Sequence, residues 1–357
     1  MEAVMLVGGQ GTRLRPLTLT TPKPMLPVAN YPCTAHQIVR ARDAGVTRII
    51  LSTSYKAEVF EAYFGNGQDF GIEIVYVTED SPLGTGGAIR NVADALHSAP
   101  NDPVLILNGD ILSGHNMKQQ VQQHVQRDAD VSLHLINVDD PRPFGLVPTD
   151  ADGRVIQFLE KPQTPEEIVT HQINAGCYVF KRSVIDSIPN GRVVSVERET
   201  FPGLLDTKAP VIGYIEDAYW LDLGNPLAFA QGSRDLVEGR CPSSLVEKPG
   251  EVMAAPTAKI SATAKVFGGS AIGEQVSVGE SAKVEGSVLM AGSHVGANST
   301  LIDCVIGENV SIGEHVTLTS VVVADGASIG DHNELIAGAR VWPNTEIETR
   351  SLRFSAE

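Results

Sequence analysis

The sequence predicts an α/β protein: a mostly parallel sheet covered by helices, followed by a parallel β-helix. Up to about residue 135, short apolar runs rich in β-branched residues alternate with amphipathic helical segments. Beyond residue 256, an aliphatic residue recurs about every six positions, which is typical of hexapeptide β-helices. We therefore expect an α/β domain at residues 1–238, a linker at 239–256 and a β-helix at 257–357.

Composition narrows the class of protein before any motif is considered. The chain has 357 residues, of which 42% are hydrophobic and 20% charged, enough for two domains. Its net charge of −16 argues against a nucleic-acid partner, because binding to a phosphate backbone depends on clustered Lys and Arg. We find neither an apolar run of the roughly 18 residues that span a membrane nor a signal peptide, and we expect a cytoplasmic protein with no membrane partner.

The predicted first strand, residues 3–7, leads into a glycine-rich loop that reads LVGGQGTRLRPLTLTTPKP from Leu6 to Pro24. Glycines let backbone N–H groups approach a phosphate, and Arg13 and Lys23 would supply charge to a polyphosphate. A dinucleotide fingerprint would need glycine where Leu14 stands, and a P-loop would need Gly-Lys-Ser/Thr. The loop alone leaves open a tight turn with incidental surface cations.

Two further segments are expected at the same edge of the sheet, where ligands bind in such folds. Strands are predicted at 48–53, 72–77, 104–108 and 131–138, with helices at about 34–44, 56–64, 86–98 and 116–127. The third strand leads into a turn from Glu79 to Gly87, which opens a helix whose first N–H groups we expect to be free. The fourth ends at Asn108-Gly109-Asp110, and this aspartate is either a ligand or a helix cap.

The alternation becomes irregular from about 140 to 235, with strands predicted at 144–147, 155–160 and 175–180. Glu160-Lys161 lies at the end of the second of these strands, and Asn174 precedes the third. Asp222 stands between Trp220-Leu221 and Leu223, and an aspartate in so apolar a setting needs a partner such as a cation or backbone donors.

The C-terminal repeat has a step of six residues that shortens to five at three places. Those places are Val284→Leu289, Leu301→Ile306 and Leu318→Val323, seventeen residues apart, which indicates coils with three faces. An α-helix would need a period of 3.6 residues and an ordinary strand a period of two. Each coil would bury its apolar side only against its neighbours, so we expect a module for stability and for assembly into a homo-oligomer.

The stretch GGQGTRLRPLT, followed by PKPMLP, resembles the signature of the sugar-1-phosphate nucleotidyltransferases. SPLGTGGAIRNVA, LNGDIL, FLEKP, QINAGCYVF and SVERETFP extend the resemblance, which in detail is to mannose-1-phosphate guanylyltransferases (GDP-mannose pyrophosphorylases) of actinobacteria. It implies a Rossmann-like catalytic domain, a left-handed β-helix, and formation of GDP-mannose and pyrophosphate from GTP and mannose 1-phosphate with Mg²⁺.

The resemblance also implies roles for single residues. Nucleotide binding falls to Leu6, Gly8, Gly9, Gly11, Thr12, Arg13, Lys23, Glu79, Pro82, Gly84, Thr85, Asn108, Gly109 and Asp110. Sugar-phosphate binding falls to Gly145, Glu160, Lys161, Asn174 and Arg192. The residues expected to be catalytic are Arg13, Lys23, Asp110, Lys161 and Asp222, of which Asp110 and Asp222 would hold the metal.

Three alternatives stay open. The enzyme could transfer another nucleotide, as glucose-1-phosphate thymidylyl-, uridylyl- and adenylyltransferases do, although a carboxylate at Glu79 suits the two adjacent N–H donors of guanine unless it only caps a helix. A catalytically silent regulatory paralogue should have lost Arg13, Asp110, Lys161 or Asp222, and all four are present. An acyltransferase would use a histidine of the coils, where the candidates are His294, His315 and His332.

Overall fold

The computed structural model describes residues 1–54, 56–162 and 164–353 of the chain. They form two compact units: unit 1 comprises Met1–Gly9 and Gln37–Trp220, and unit 2 comprises Gln10–His36 and Leu221–Glu357. The last four residues of the predicted β-helix lie outside the described residues.

The first five predicted strands and the first four predicted helices are present, with ends shifted by a few residues. The strands are β1 Glu2–Leu6, β2 Pro27–Val28, β3 Tyr31–Pro32, β4 Arg48–Thr53, β5 Glu73–Thr78, β6 Pro103–Asn108, β7 Ile111–Ser113, β8 Val131–Asn137, β9 Gly145–Leu146, β10 Leu159–Glu160, β11 Gln172–Lys181, β12 Val211–Ile215 and β13 Trp220–Asp222. The helices are α1 Cys33–Asp43, α2 Ala57–Phe64, α3 Gly84–Asn91, α4 Met117–Gln126, α5 Arg182–Ser187, α6 Phe201–Asp206 and α7 Pro226–Val237. The third predicted helix is thus shorter than expected and is followed by a 3-10 turn at Ala93–Ala95.

Unit 1 is built on one sheet with the strand order β10-β9-β11-β6-β1-β4-β5, to which β8 and β12 add beside β11. Strands β6, β1, β4 and β5 are parallel, so their carboxyl ends meet at one edge. The later strands β9, β10 and β11 pair in antiparallel fashion, which accounts for the irregular pattern after residue 140. All six residues of β4 are buried, as expected for a central parallel strand covered on both faces.

Unit 2 contains the predicted β-helix, whose strands form three parallel sheets, the arrangement of a left-handed β-helix. Its strands are β14 Val252–Ala254, β15 Lys259–Ile260, β16 Lys265–Phe267, β17 Ser270–Ile272, β18 Ser277–Val278, β19 Lys283–Glu285, β20 Val288–Leu289, β21 His294–Val295, β22 Thr300–Ile302, β23 Val305–Ile306, β24 Ser311–Ile312, β25 Thr317–Thr319, β26 Val322–Val323, β27 Ser328–Ile329, β28 Glu334–Leu335, β29 Arg340–Val341 and β30 Glu346–Ile347. The recurring aliphatic residues fill its interior, as in Ile272, Val284, Leu301 and Leu318, each fully buried. Strand β14 lies within the segment predicted as a linker.

All four cysteines are buried and free, as their scattered positions predicted. In the part of the chain that the structure describes, no helix combines the length and the apolarity that crossing a membrane requires.

Candidate functional site

The start of the glycine-rich loop lies in unit 1, at the carboxyl ends of β1, β4 and β6. The Ser54 hydroxyl donates to the Gly8 carbonyl at 2.7 Å, and a Cβ on Gly8 would lie 2.7 Å from the Ser54 oxygen. The Gly109 N–H donates to the Leu6 carbonyl at 2.9 Å, and a Cβ on Gly109 would lie 2.6 Å from that carbonyl oxygen. Among the described residues nothing lies within 4 Å of where a Cβ on Gly9 would be. Backbone at Gly9 is therefore open to a ligand, and both flanking glycines are required by packing.

The cationic part of the loop lies in unit 2, where one cation is buried and the other exposed. Gly11 has a φ of +60°, and a Cβ there would lie 2.6 Å from Cβ of Lys23. The Thr18 hydroxyl donates to the Gly11 carbonyl at 3.0 Å. Glycine thus lets Lys23 pack beneath the loop, with its side chain 8% exposed. Arg13, in the 3-10 turn Thr12–Leu14, has a side chain 70% exposed.

Asp222 lies against both of these cations. Its carboxylate oxygens are 3.5 Å from Nζ of Lys23 and 3.8 Å from an Nη of Arg13, and its side chain is 25% exposed. A Cβ on Gly224 would lie 2.6 Å from the same Nη of Arg13, so this glycine makes room for the guanidinium. The expected cationic partner of Asp222 is therefore present. The role of Gly224 was missed, and its only signal in the sequence is a glycine two residues after the aspartate.

Glu79 follows β5 and has both carboxylate oxygens engaged within unit 1. One oxygen accepts from the Leu83 N–H at 3.0 Å, just before α3 begins, and the other accepts from the Ser52 hydroxyl at 3.3 Å. This is the geometry of the helix-capping alternative. A carboxylate has about four lone-pair sites, so it can accept further bonds from a base as well.

The first turn of α3 packs against the chain at Val194 instead of offering its N–H groups to a ligand. The Gly86 and Gly87 N–H groups both donate to the Val194 carbonyl, at 2.8 and 3.2 Å. A Cβ on Gly84, whose φ is +72°, would lie 2.7 Å from that same oxygen. The expectation of free N–H groups at this helix end is therefore wrong for these two residues. The glycines serve close packing of α3 on the 192–197 segment.

Thr85 ties the same helix to a charged segment that sequence reasoning did not assign. Its hydroxyl donates to the Glu197 carboxylate at 2.8 Å and accepts from the Val196 N–H at 3.0 Å. Pro82, in the preceding turn, is exposed. The signal for this contact was present in the charged stretch SVERETFP, which the resemblance includes without giving a role to Glu197.

The expected sugar-phosphate residues Gly145, Glu160 and Lys161 come together at the β9–β10 pair. Gly145 pairs with Glu160 across the strands, and a Cβ on Gly145 would lie 2.8 Å from a Glu160 carboxylate oxygen. Lys161 has a φ of +53°, and its Nζ lies 3.8 Å from the other Glu160 oxygen. Burial, with Glu197 adding to it, raises the pKa of Glu160, while Lys161 and Arg198 act in the opposite direction.

Asn174 and Asn108 are linked through a bulge in β11. The Asn174 amide donates to the Tyr178 hydroxyl at 2.8 Å, and its oxygen accepts from the Gly176 N–H at 3.1 Å. The register of β11 against β8 shifts between Asn174 and Tyr178. A Cβ on Gly176, whose φ is +74°, would lie 2.8 Å from the Asn108 amide nitrogen. The bulge thus turns Asn174 out of the strand register and brings Asn108 against it.

Arg192 is already paired with a carboxylate. Its guanidinium donates to the Glu199 carboxylate at 2.8 Å and to the Val193 carbonyl at 2.9 Å. Its role as a phosphate contact would require exchange of this exposed pair, whereas Arg198 already acts on the pKa of Glu160. Sequence reasoning chose the first arginine of this segment and gave no role to the second.

Asp110 directly follows β6 and is half-buried. The described residues contain no group of three or more His, Cys, Asp or Glu side chains placed to hold a metal ion. A divalent ion would therefore need oxygen ligands from a substrate in addition to a carboxylate, and this is how Mg²⁺ usually binds beside phosphates. The residues fit such an ion in kind.

The histidines considered for acyl transfer contact small polar or aromatic groups of the β-helix. His294 shares a hydrogen bond of 2.8 Å with the Ser277 hydroxyl. His315 and His332 stack, with ring centroids 4.9 Å apart. Neither contact brings a histidine to a carboxylate that would orient it for acid–base catalysis.

Comparison with known proteins agrees with this arrangement. The family model described as Nucleotidyl transferase matches residues 2–239, and the one described as GMPPB C-terminal domain matches residues 249–354. A mannose-1-phosphate guanylyltransferase of Mycobacterium tuberculosis is 50% identical over 100% of this chain and 98% of its own length. One of Candida albicans is 35% identical over 87% of this chain and 86% of its own.

Solved structures give the same result for the catalytic part. The crystal structure of HddC from Yersinia pseudotuberculosis complexed with GMP-PN has a TM-score of 0.56 and 28% identity. The match covers 66% of this chain and 98% of that one. Nucleotidyltransferases of this kind typically use a divalent metal ion. The chain therefore belongs to the nucleotidyl transferase family, with a C-terminal domain of the GMPPB type.

Proposed function

We propose that this protein is a mannose-1-phosphate guanylyltransferase, which forms GDP-mannose and pyrophosphate from GTP and mannose 1-phosphate. The observation that carries the proposal is 50% identity over the full chain to the M. tuberculosis enzyme of that name. The cationic loop beside Asp222 adds support, because it presents Arg13 and Lys23 together behind an open glycine backbone.

The reaction needs charge neutralisation more than a nucleophilic side chain. An oxygen of mannose 1-phosphate, largely ionised because its second pKa is about 6, attacks the α-phosphorus of GTP. The new P–O bond forms as the bond to the β-phosphate oxygen breaks and pyrophosphate leaves. Two anions must meet in line, so fixed positive charge and alignment lower the barrier.

On the nucleotide side, the exposed guanidinium of Arg13 would meet the charge that develops on pyrophosphate. Lys23, held beneath the loop, would keep a second positive charge close to the phosphates. Leu6, Gly8, Gly9, Gly11 and Thr12 would provide the backbone that cradles the triphosphate, because three of them have no room for, or no need of, a side chain.

On the sugar side, Lys161 would bind the phosphate of mannose 1-phosphate. Its exposed ammonium, held by a left-handed backbone, can reach an incoming anion. Glu160 and Asn174 would accept and donate hydrogen bonds to sugar hydroxyls. Gly145 keeps the facing strand clear of the Glu160 carboxylate.

Asp110 and Asp222 would hold Mg²⁺ through single carboxylate oxygens. The bound ion would supply Lewis-acid neutralisation of phosphate charge. The chain's own contribution is to keep two carboxylates at the ends of short strand segments, Asp222 as the last residue of β13 and Asp110 two residues after β6.

The wider setting follows from the same proposal. We propose a homo-oligomer in which the β-helix contributes to assembly, and a cytoplasmic location where both substrates are made. Residues 1–238, 239–256 and 257–357 stay our proposed catalytic domain, linker and β-helix, although β14 already forms within the proposed linker.

One assay tests the proposal: pyrophosphate release with each of four nucleoside triphosphates and several hexose 1-phosphates, with products identified by anion-exchange chromatography. We expect the highest kcat/KM for GTP with mannose 1-phosphate. A preference for dTTP, UTP or ATP with glucose 1-phosphate would replace the proposal by one of the related transferases. Tight binding of GDP-mannose without turnover would indicate a regulatory paralogue, and turnover of acetyl coenzyme A an acyltransferase.

A further inference from the structure

Two side chains of successive β-helix coils hold the cationic loop within unit 2. One Nη of Arg340, in β29, donates to the Arg13 carbonyl at 3.1 Å and to the Arg15 carbonyl at 2.6 Å. The Thr20 hydroxyl donates to the Asp325 carboxylate at 2.5 Å. Residues 13 to 20 are thus fastened to the β-helix more than 300 residues later in the chain.

The two carbonyls that Arg340 binds enclose the end of the 3-10 turn Thr12–Leu14. Carbonyls at the end of such a turn lack partners within it and carry partial negative charge. A guanidinium, with several donors in a rigid plane, suits two neighbouring carbonyl oxygens and offsets their charge. The backbone on both sides of Leu14 is therefore fixed by one side chain of the β-helix.

Arg13 depends on this backbone anchor because little else fixes it. Its side chain is mostly exposed, and its contact with Asp222 at 3.8 Å is too long and too solvated to orient it firmly. Lys23 differs, since burial beneath Gly11 restrains it directly. The direction of the Arg13 side chain thus depends on its own Cα, which the Arg340 contacts hold.

We propose that Arg340 is a positioning residue for nucleotidyl transfer: the β-helix fixes the loop so that Arg13 meets the departing pyrophosphate. This inference rests on the role proposed above for Arg13. It gives the β-helix a part in catalysis as well as in assembly. Asp325 supports the same loop at Thr20, farther from Arg13 along the chain.

The first test compares Arg340→Ala with Arg340→Lys and with Arg353→Ala as a matched control. Arg353 lies in the same unit, and the described part of the chain shows no hydrogen bond from it to the loop. We expect Arg340→Ala to lower kcat for pyrophosphate release about tenfold, the effect of losing a charge-assisted hydrogen bond. The KM for mannose 1-phosphate and the Tm should stay close to wild type, and Arg340→Lys should recover part of kcat. Arg353→Ala should resemble wild type.

A double-mutant cycle separates positioning from general stability. If Arg340 acts through Arg13, Arg340→Ala should lower kcat less than twofold in an Arg13→Ala background. An equal loss of kcat in both backgrounds would overturn the proposal, as would unchanged kcat in the single variant. A parallel fall of kcat, both KM values and Tm would assign Arg340 a merely structural role.

Hydrogen exchange gives a readout that does not depend on the proposed reaction. Amide exchange of residues 12–20 should be faster in Arg340→Ala than in wild type and Arg353→Ala, without any substrate. Unchanged exchange would show that Arg340 does not anchor the loop and would overturn the inference. Faster exchange in a protein that lacks guanylyl transfer would support the anchor and reject only the proposed function.

Discussion

Replacing Asp222 by Asn tests how the cationic loop is held. The carboxylate lies 3.5 Å from the ammonium of Lys23, whose side chain is almost buried, and 3.8 Å from Arg13, which is exposed. At an effective dielectric constant of about 20, charges 3.5 Å apart attract by roughly 5 kcal/mol before desolvation is counted. The Arg13 contact is screened by solvent and contributes less than about 1 kcal/mol. The effect of the substitution should therefore come mainly from Lys23.

Asp222→Asn would leave the Lys23 ammonium buried without its carboxylate. Breaking a buried pair in this way costs about 3–5 kcal/mol, and the partial exposure of Asp222 reduces this to roughly 2–3 kcal/mol. Urea unfolding at neutral pH measures this loss. In a Lys23→Gln background, the same substitution should cost less than about 1 kcal/mol, because the buried charge is then absent.

Catalysis should suffer separately from stability. If Asp222 also holds Mg²⁺, Asp222→Asn should lower kcat by at least ~10²–10³, as for one lost electrostatic contact at the reacting centre. Asp110→Asn should lower kcat similarly without the stability loss through Lys23. Near-normal kcat of Asp222→Asn with saturating Mg²⁺ would remove it from the metal site, and unchanged unfolding would refute the electrostatic reasoning.

Four other predictions follow from the same structure. Lys161→Ala should raise the KM for mannose 1-phosphate far more than that for GTP, while Arg13→Ala should mainly lower kcat; steady-state kinetics showing the reverse would mean that their roles are exchanged. Cutting the chain near Gly250 should change the oligomeric mass in light scattering while leaving a folded N-terminal part, and an unchanged mass would exclude the β-helix from assembly. Burial lowers the pKa of His36, His124 and His134 to about 4, so only the unfolded chain takes up these protons between pH 6.5 and 4. The free energy of unfolding should therefore fall as the pH drops through that window, by up to about 3 kcal/mol per histidine, and a flat pH profile would contradict the burial argument. Glu79→Gln keeps an oxygen for the Leu83 N–H, so it should preserve stability but lower kcat/KM for GTP by ~1–3 kcal/mol and narrow the gap to dTTP and UTP; an unchanged order of preference among the four triphosphates would leave Glu79 as a cap only.

Elements governed by short-range patterns could be predicted from the sequence. The strand at Arg48–Thr53 has the predicted bounds because a run of six residues buried on both faces can hardly be apolar by chance. The coils of the β-helix were predictable because each aliphatic residue meets its counterpart one coil away. The antiparallel addition of β11 to β6 was not, since its register depends on residues about 70 positions apart.

The candidate site divides in the same way. Glycines at 8, 11 and 109 are required by atoms close to them, so the motif itself indicated a crowded loop. Pairing of Asp222 with Lys23 joins residues 199 positions apart, and only the need for some cation could be stated in advance. The N–H groups of α3 were expected to be free because nothing local predicts that Val194 reaches them.

The loop resolves a conflict between the net charge of −16 and an anionic substrate. Lys23 is buried and needs Asp222, so that carboxylate cannot simply be removed to make the site more positive. Arg13 is exposed and loses little on leaving Asp222, because a solvated contact of 3.8 Å contributes less than about 1 kcal/mol. A triphosphate can therefore draw Arg13 away at small cost while Lys23 stays in place. The same exchange turns the Asp222 oxygen that faced Arg13 towards new partners, which couples nucleotide binding to the freeing of a carboxylate.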